Sequence, residues 1–215
     1  MRPDLIIFDM DGTLVDSEVI SKRAFEYTLN GLGLEYDDEF LEGFLGGNLK
    51  SAKEKLNERY GDNELTELIL ESKGLVYRRI IKDEGVDLKP GVLELLEFLK
   101  EKKYIMAVGT SCNRESAIEK LTNTGIIDYF DYIVAGDDVE NGKPSPDIFL
   151  KIAEHFNVKP ENCMVFEDSR LGIRAAKNAG MMPMLVPDTL NPTNDMLLNA
   201  FKILKRIDSA IKILD

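Results

Sequence analysis

Two aspartates one residue apart, Asp9 and Asp11, stand between the apolar run Leu5-Ile6-Ile7-Phe8 and Gly12. Such a run, closed by carboxylates and a glycine, predicts a buried strand that stops abruptly with its acids at the C-terminal tip. In extended geometry residues i and i+2 share a face, so the two carboxylates would lie side by side. Like charges that close repel unless a cation or a proton separates them. The pair therefore calls for a metal ion. Gly12 permits the tight turn that follows, and such a turn leaves amide N–H groups free to face an anion. Acids, a cation and an anion together imply phosphate chemistry.

The rest of the pattern must position these acids. A helix is expected from Ser17 to about Leu32, with Ala24, Phe25, Leu29 and Leu32 at helical spacing and Gly31 and Gly33 as its stop. Helical periodicity continues around Phe40 to Leu45, Leu49 to Tyr60 and Leu65 to Ile81, with no convincing strand before about Asp87. So long a helical run between two strands reads as a separate small domain rather than a crossover. Pro90 and Gly91 mark the return. Strands are then expected at 104–109, 132–135, 163–166 and 182–186, alternating with helices at 92–103, 113–124, 146–156 and 170–179 and a terminal helix from about Asn194. Near-continuous apolar strands alternating with helices imply an α/β fold whose parallel sheet is covered on both faces. Ligands bind such sheets beyond the carboxyl ends of the strands, where strand order reverses. Asp9, Thr110 and Asp168 all fall at or just after an expected strand end.

The run Asp9-Met10-Asp11-Gly12-Thr13-Leu14-Val15-Asp16 resembles the first signature of the haloacid dehalogenase superfamily. Thr110-Ser111 resembles the second, the stretch from Asn141 to Phe149 around Lys143 the third, and Phe166-Glu167-Asp168-Ser169 the fourth. The resemblance implies that Asp9 is a nucleophile and Asp11 an acid/base kept protonated by its anionic neighbour. It implies that Thr110 holds a phosphoryl oxygen beside the Ser111 N–H, and that Lys143 neutralises both the attacking carboxylate and the phosphoryl group. It also implies Mg²⁺ as cofactor, bound by the Asp9 and Asp168 carboxylates and the Asp11 carbonyl, with Glu167 direct or through water. Each residue has a plainer role open to it. Thr110, Ser111 or Asn113 could cap a helix, and Glu167 and Asp168 could favour the N-terminus of the helix after them. The implied architecture is a Rossmann-like doubly wound parallel sheet of residues 1–16 and 88–215, with an inserted helical cap domain of residues 17–87.

The placement of the helical insert resembles the subgroup that holds beta-phosphoglucomutase, phosphoglycolate phosphatase and sugar-phosphate phosphatases. Its implied partner is a small phosphorylated metabolite, and the expected activity is phosphatase, with phosphomutase as the alternative and a non-catalytic phosphoaspartate signalling or interaction protein as a more distant one. In the mutases a histidine follows the hinge and a cap arginine grips a second phosphate, whereas Ser21 and Leu49 stand at those places here. The loop Gly46-Gly47-Asn48-Leu49-Lys50 falls where related caps touch substrate, so Gly46 and Lys50 are candidate contacts, with helix punctuation the other reading. Arg114 either neutralises substrate or sits exposed early in its helix. Asp16 is expected to fix the turn after the first acids, Asp137 and Asp138 to be solvated loop acids, and His155 to lie on the surface.

Composition narrows the class. The chain has 215 residues, 44% of them apolar and 31% charged, which suits a folded soluble protein. Its net charge of −12 disfavours nucleic acid and anionic membrane as partners. Cys112 and Cys163 lack metal-ligand spacing, so free thiols in a reducing compartment are expected, with a disulfide the lesser option. Neither a secretory leader nor an apolar run of membrane-spanning length is read, which gives a cytoplasmic expectation. The oligomeric expectation is a monomer or weak homodimer.

Overall fold

Strand β1 (Leu5–Phe8) is buried at every residue, and the chain leaves its end through a loop that returns beside the start of the next segment of the same unit. Asp16 N–H donates to the Asp87 carbonyl at 2.8 Å and Lys89 N–H to the Leu14 carbonyl at 2.9 Å, so outgoing and returning segments are hydrogen-bonded to each other. Between them run α1 (Ser17–Gly31), α2 (Asp38–Glu42), α3 (Leu49–Tyr60) and α4 (Asn63–Glu84). The chain then passes through α5 (Val92–Glu101), β2 (Ile105–Gly109), α6 (Arg114–Asn123), β3 (Tyr132–Val134), α7 (Asp147–His155), β4 (Cys163–Glu167), α8 (Arg170–Asn178) and β5 (Met182–Leu185). It ends with α9 (Asn194–Asn199), β6 (Lys202–Ile203) and α10 (Ile211–Leu214). The computed structural model describes residues 2–45, 49–188 and 191–215.

Two compact units result: Met1–Asp16 with Asp87–Asp215, and Ser17–Val86. The first is built on a six-stranded sheet of order β3-β2-β1-β4-β5-β6, parallel throughout. From β1 the chain goes outward to one side through β2 and β3, then crosses to build β4, β5 and β6 on the other. Strand order therefore reverses next to β1, where a parallel sheet opens a crevice at its carboxyl ends. Register decides what gathers there: Phe8 lies opposite Val108 and Phe166, so Asp9 comes level with Gly109 and Glu167. The Phe8 and Phe166 rings stack at 5.1 Å below those tips. Leu5, Ile7, Ala107, Val165, Phe149 and Ile152 belong to one buried apolar cluster of this unit.

The second unit is helical among its described residues, with Phe25, Leu29, Leu41, Phe44, Leu56 and Ile69 as its core. Phe25 and Phe44 stack at 4.2 Å. Asp37 caps α2 through the Phe40 N–H, and Asp62 caps α4 through the Glu64 and Leu65 N–H groups.

The C-terminus adds to the terminal helix expected from about Asn194. Helix α9 stops at Asn199, and the chain then adds a sixth strand through Phe201 N–H to the Pro183 carbonyl (2.7 Å) and Leu204 N–H to the Leu185 carbonyl (2.8 Å). Two paired residues are too few to show a period, so their apolar content reads as helix. Among the described residues no helix is long and apolar enough to cross a membrane. Cys112 and Cys163 are free thiols.

Ile7 is fully buried in the central strand. Ile7→Ala is expected to cost about 2–5 kcal/mol, because a core pinned between two neighbouring strands closes poorly over the lost methyl groups. Urea-induced unfolding of the two proteins checks this.

Candidate active site

The reversal point of the sheet carries an unusual charge arrangement. One carboxylate oxygen from each of Asp9, Glu167 and Asp168 lies within 4.8 Å of the others. Asp9 follows β1, Glu167 ends β4, and Asp168 is the next residue. Two glycines make room for these acids. A Cβ on Gly172 would lie 1.6 Å from Glu167 Oε1, and one on Gly12, whose φ is +82°, would lie 2.4 Å from Asp168 Oδ2. Gly12 is thus needed both for its left-handed backbone and for the close approach of a carboxylate.

Lys143 enters this cluster from the loop before α7. Its Nζ donates to Asp9 Oδ1 at 2.5 Å, Glu167 Oε1 at 2.7 Å and the Gly109 carbonyl at 2.9 Å. Only 4% of its side chain is exposed, so a mostly solvated lysine is ruled out here. The loop is held by Asn178 Nδ2, which donates to the Pro144 carbonyl at 3.1 Å, and by Ser145 and Asn141, which both donate to Asp147. Glu167 is occupied on both oxygens: Oε2 accepts from the Ser169 N–H at 2.8 Å and the Ser169 hydroxyl at 3.0 Å. The same hydroxyl caps α8 by accepting from the Gly172 N–H. Asp168 Oδ1 accepts from the Thr13 hydroxyl at 3.1 Å.

Three carboxylates against one ammonium leave negative charge in a poorly solvated place, and the proton affinities respond. Burial pushes the Asp9 carboxyl up to about 8 from an ordinary 3.8, with Glu167 and Asp11 adding to the effect and Lys143 opposing it. Asp168 is also pushed well up, by burial first and then by Glu167, Asp9 and Asp188, against the Thr13 hydrogen bond. Burial would lower Lys143, but the charges of Asp9 and Glu167 and their hydrogen bonds outweigh it and raise its pKa. A divalent cation with hard oxygen ligands fits this donor set, which is all carboxylate and holds excess negative charge.

Asp11 has a lysine of its own. Its Oδ1 accepts from Lys120 Nζ at 2.6 Å, and that lysine, on α6, is 3% exposed. The group facing Oδ1 is thus an ammonium, a partner not anticipated from the sequence. Lys120 went unread because it sits among ordinary polar helix residues, and nothing in its neighbourhood of the chain announces a partner 109 residues away.

Thr110 is 1% exposed at the end of β2, and its hydroxyl accepts from the Cys112 N–H at 3.2 Å. The cap of α6 is Asn113, which accepts from the Ser116 N–H at 2.9 Å, so neither Thr110 nor Ser111 is spent on it. Ser111 is exposed. Arg114 is committed to the protein: its guanidinium donates to Asp138 at 2.5 and 3.1 Å and to the Ile133 carbonyl at 3.0 Å. Its side chain keeps 43% of its surface. Asp138 departs from the solvated loop acid expected, whereas Asp137 is exposed. Asp138 accepts from Arg114 and the Ala135 N–H, which hold its carboxyl below the usual range although burial would raise it, and Asp137 accepts from the Arg114 N–H. Lys50 lies in the second unit on α3, 85% exposed and 4.0 Å from Glu54. Gly46 lies outside the described residues. A cleft of about 360 Å³ in the second unit, lined by Tyr27, Val76, Arg79, Ile80, Asp83 and Glu84, contains none of the candidate residues. His155 stacks on Tyr132 with ring centroids 3.8 Å apart.

Comparison with known proteins agrees with the fold. Residues 6–186 match the family described as haloacid dehalogenase-like hydrolase. A phosphorylated carbohydrates phosphatase of Thermotoga maritima is 36% identical over 182 residues, covering 83% of this chain and 82% of that protein. A fructose-1-phosphate phosphatase of Escherichia coli is 35% identical over 181 residues, covering 82% and 92%. Among solved structures, a Thermotoga maritima protein proposed to be a beta-phosphoglucomutase superposes with a TM-score of 0.83 at 32% identity, over 100% of this chain and 98% of that one.

A carboxyl whose proton is held more tightly in the folded state stabilises that state at low pH and loses the contribution as pH rises. For Asp9 the loss runs from about pH 4 to about pH 8. Melting temperature measured in EDTA is expected to fall across that window more steeply for the wild type than for Asp9→Asn, and added Mg²⁺ to restore it most at the alkaline end.

Proposed function

The chain belongs to the haloacid dehalogenase-like hydrolases, and from that membership we propose a Mg²⁺-dependent phosphatase that hydrolyses a small phosphate monoester through a phosphoaspartate on Asp9. The observation that carries this reading is Lys143, buried between Asp9 and Glu167 at the point where the sheet reverses. A sugar phosphate or a related metabolite is the proposed substrate, supported by relatives whose names are those of carbohydrate phosphatases.

When bound, Mg²⁺ would be held by the Asp9 and Asp168 carboxylates and the Asp11 carbonyl, with Glu167 direct or through water, and would offset the charge of acids and phosphate. An ionised Asp9 oxygen forms a bond to phosphorus as the bond to the ester oxygen breaks. Lys120 holds Asp11 Oδ1, and Oδ2 carries the proton that passes to the departing alcohol. In the second half Asp11 takes a proton from water, whose oxygen attacks phosphorus and restores Asp9 with release of inorganic phosphate. Lys143 and the Thr110 hydroxyl hold the phosphoryl oxygens. Phosphate monoesters hydrolyse so slowly in water that an enzyme must supply on the order of 20 kcal/mol. Proton transfer contributes about 10²–10⁴-fold, so most of the remainder rests on charge stabilisation and positioning.

Residues 17–86 are the cap of this reading, since they stand in the chain between the first two signatures, and Gly46 and Lys50 would belong to its substrate loop. We take the protein as a cytoplasmic monomer or weak homodimer. The structural likeness to a proposed beta-phosphoglucomutase favours a mutase as second reading. Against it stand Ser21 and Leu49, which offer neither the histidine nor the arginine that a second phosphate would need.

Incubation with sugar phosphates, phosphoglycolate and bisphosphates is expected to release inorganic phosphate only when Mg²⁺ is present. Asp9→Asn is expected to abolish release, and Asp11→Asn to lower kcat by about 10²–10⁴-fold. An isomerised bisphosphate with no phosphate release would replace the phosphatase with the mutase.

A further inference from the structure

Asp188 lies three residues beyond the end of β5, and its side chain keeps 9% of its surface. Its Oδ1 accepts from Lys89 Nζ. Its Oδ2 is buried with no hydrogen-bond partner, and among the described residues it is the one side-chain nitrogen or oxygen in that condition. A carboxylate oxygen left so is costly, and no group among the described residues answers it.

The sheet explains where it lies. Glu167 pairs with Leu185, and the Val186 N–H donates to the Glu167 carbonyl at 2.8 Å, so the chain beyond β5 runs alongside Asp168. Asp188, two residues after Val186, reaches the same edge, and its charge is one of those that push the Asp168 carboxyl up. It lies outside the trio whose oxygens approach within 4.8 Å of one another. Lys89 is also 3.5 Å from Asp16, so one ammonium serves two carboxylates at the base of the loop. Burial would lower its pKa, but Asp188 and then Asp16 raise it.

We propose that Asp188 is a fourth carboxylate of the cation site, accepting through Oδ2 from water bound to the cation, while Lys89 draws off part of its charge through Oδ1. This inference rests on the reading of Asp9 and Asp168 as the site of Mg²⁺. A hard cation with one or two direct carboxylates keeps several waters, and those waters donate to acceptors around them. Residues that accept from such bound groups commonly change metal affinity 10–100-fold when replaced.

Binding of Mn²⁺, a spin-active substitute for Mg²⁺, is measured on the full chain by electron paramagnetic resonance of the free ion. Asp188→Asn preserves shape and the Lys89 contact but removes charge, and is expected to weaken Mn²⁺ about tenfold. Lys89→Met leaves the whole Asp188 charge to the cation and is expected to bind Mn²⁺ more tightly than wild type. Affinity of Asp188→Asn within about twofold of wild type overturns the proposal, given the usual size of such effects. So does a Lys89→Met protein that binds no more tightly, because Asp188 would then serve only as an anchor for Lys89; this arm decides the matter should Asp188→Asn not fold. Asp168→Asn is the separate control: if it binds Mn²⁺ like wild type, the cation site itself is misplaced, a different failure from that of Asp188.

Discussion

Repulsion among Asp9, Glu167 and Asp168 at the ends of neighbouring strands is the constraint on which the rest of the site depends. Carboxylate oxygens within 4.8 Å of one another in a place shielded from water cannot all stay ionised without positive charge among them. Lys143 supplies one such charge from below, with its ammonium tied to two of the acids and to the Gly109 carbonyl. The excess that remains shows in the raised proton affinities of Asp9 and Asp168. A site in that condition favours whatever brings positive charge to it. The same imbalance that is unfavourable to the fold alone makes the tip of β1 a receptive place for a cation, and the Asp9 oxygens available once charge is offset.

Backbone devices keep the cluster from relaxing apart. Register between β1 and β4 sets Asp9 level with Glu167, and the strands are too well buried to slip, because a shift by one residue would turn Ile7 and its neighbours away from their core. Gly12 and Gly172 yield the space that the Asp168 and Glu167 carboxylates occupy. Ser169 acts twice: its hydroxyl caps α8 and donates to Glu167, so the helix start and the acid are positioned by one residue. Around this centre lie two outlying ion pairs, Lys120 with Asp11 and Lys89 with Asp188. Each buries most of a lysine to orient an aspartate at the rim, a costly use of charge away from solvent that only a defined geometry offsets.

The apolar strands, their alternation with helices and the placement of Asp9, Thr110 and Asp168 after strand ends were legible in the chain, since both signals are local. Burial on two faces forces a continuous apolar run, and a helix repeats its apolar face within a few residues. Strand and helix ends in the first unit differ from the expected ones by a residue or two, as at 104–109 against Ile105–Gly109 and 170–179 against Arg170–Asn178. Beta strand β6 escaped because two residues hold no period, and its existence is decided by the free edge of β5.

What the amino-acid order determined by itself, then, was the succession of elements and the residue types at their ends, because those depend on neighbours in the chain. Which charges meet was decided only by tertiary structure. Lys143 reaching Asp9 was implied by resemblance, but Lys120 on Asp11, Arg114 on Asp138 and the orphaned oxygen of Asp188 join positions with no local mark of their pairing. An ion pair across the fold depends on the strand order and on the direction in which each side chain leaves its element, and neither is written in any short window of residues.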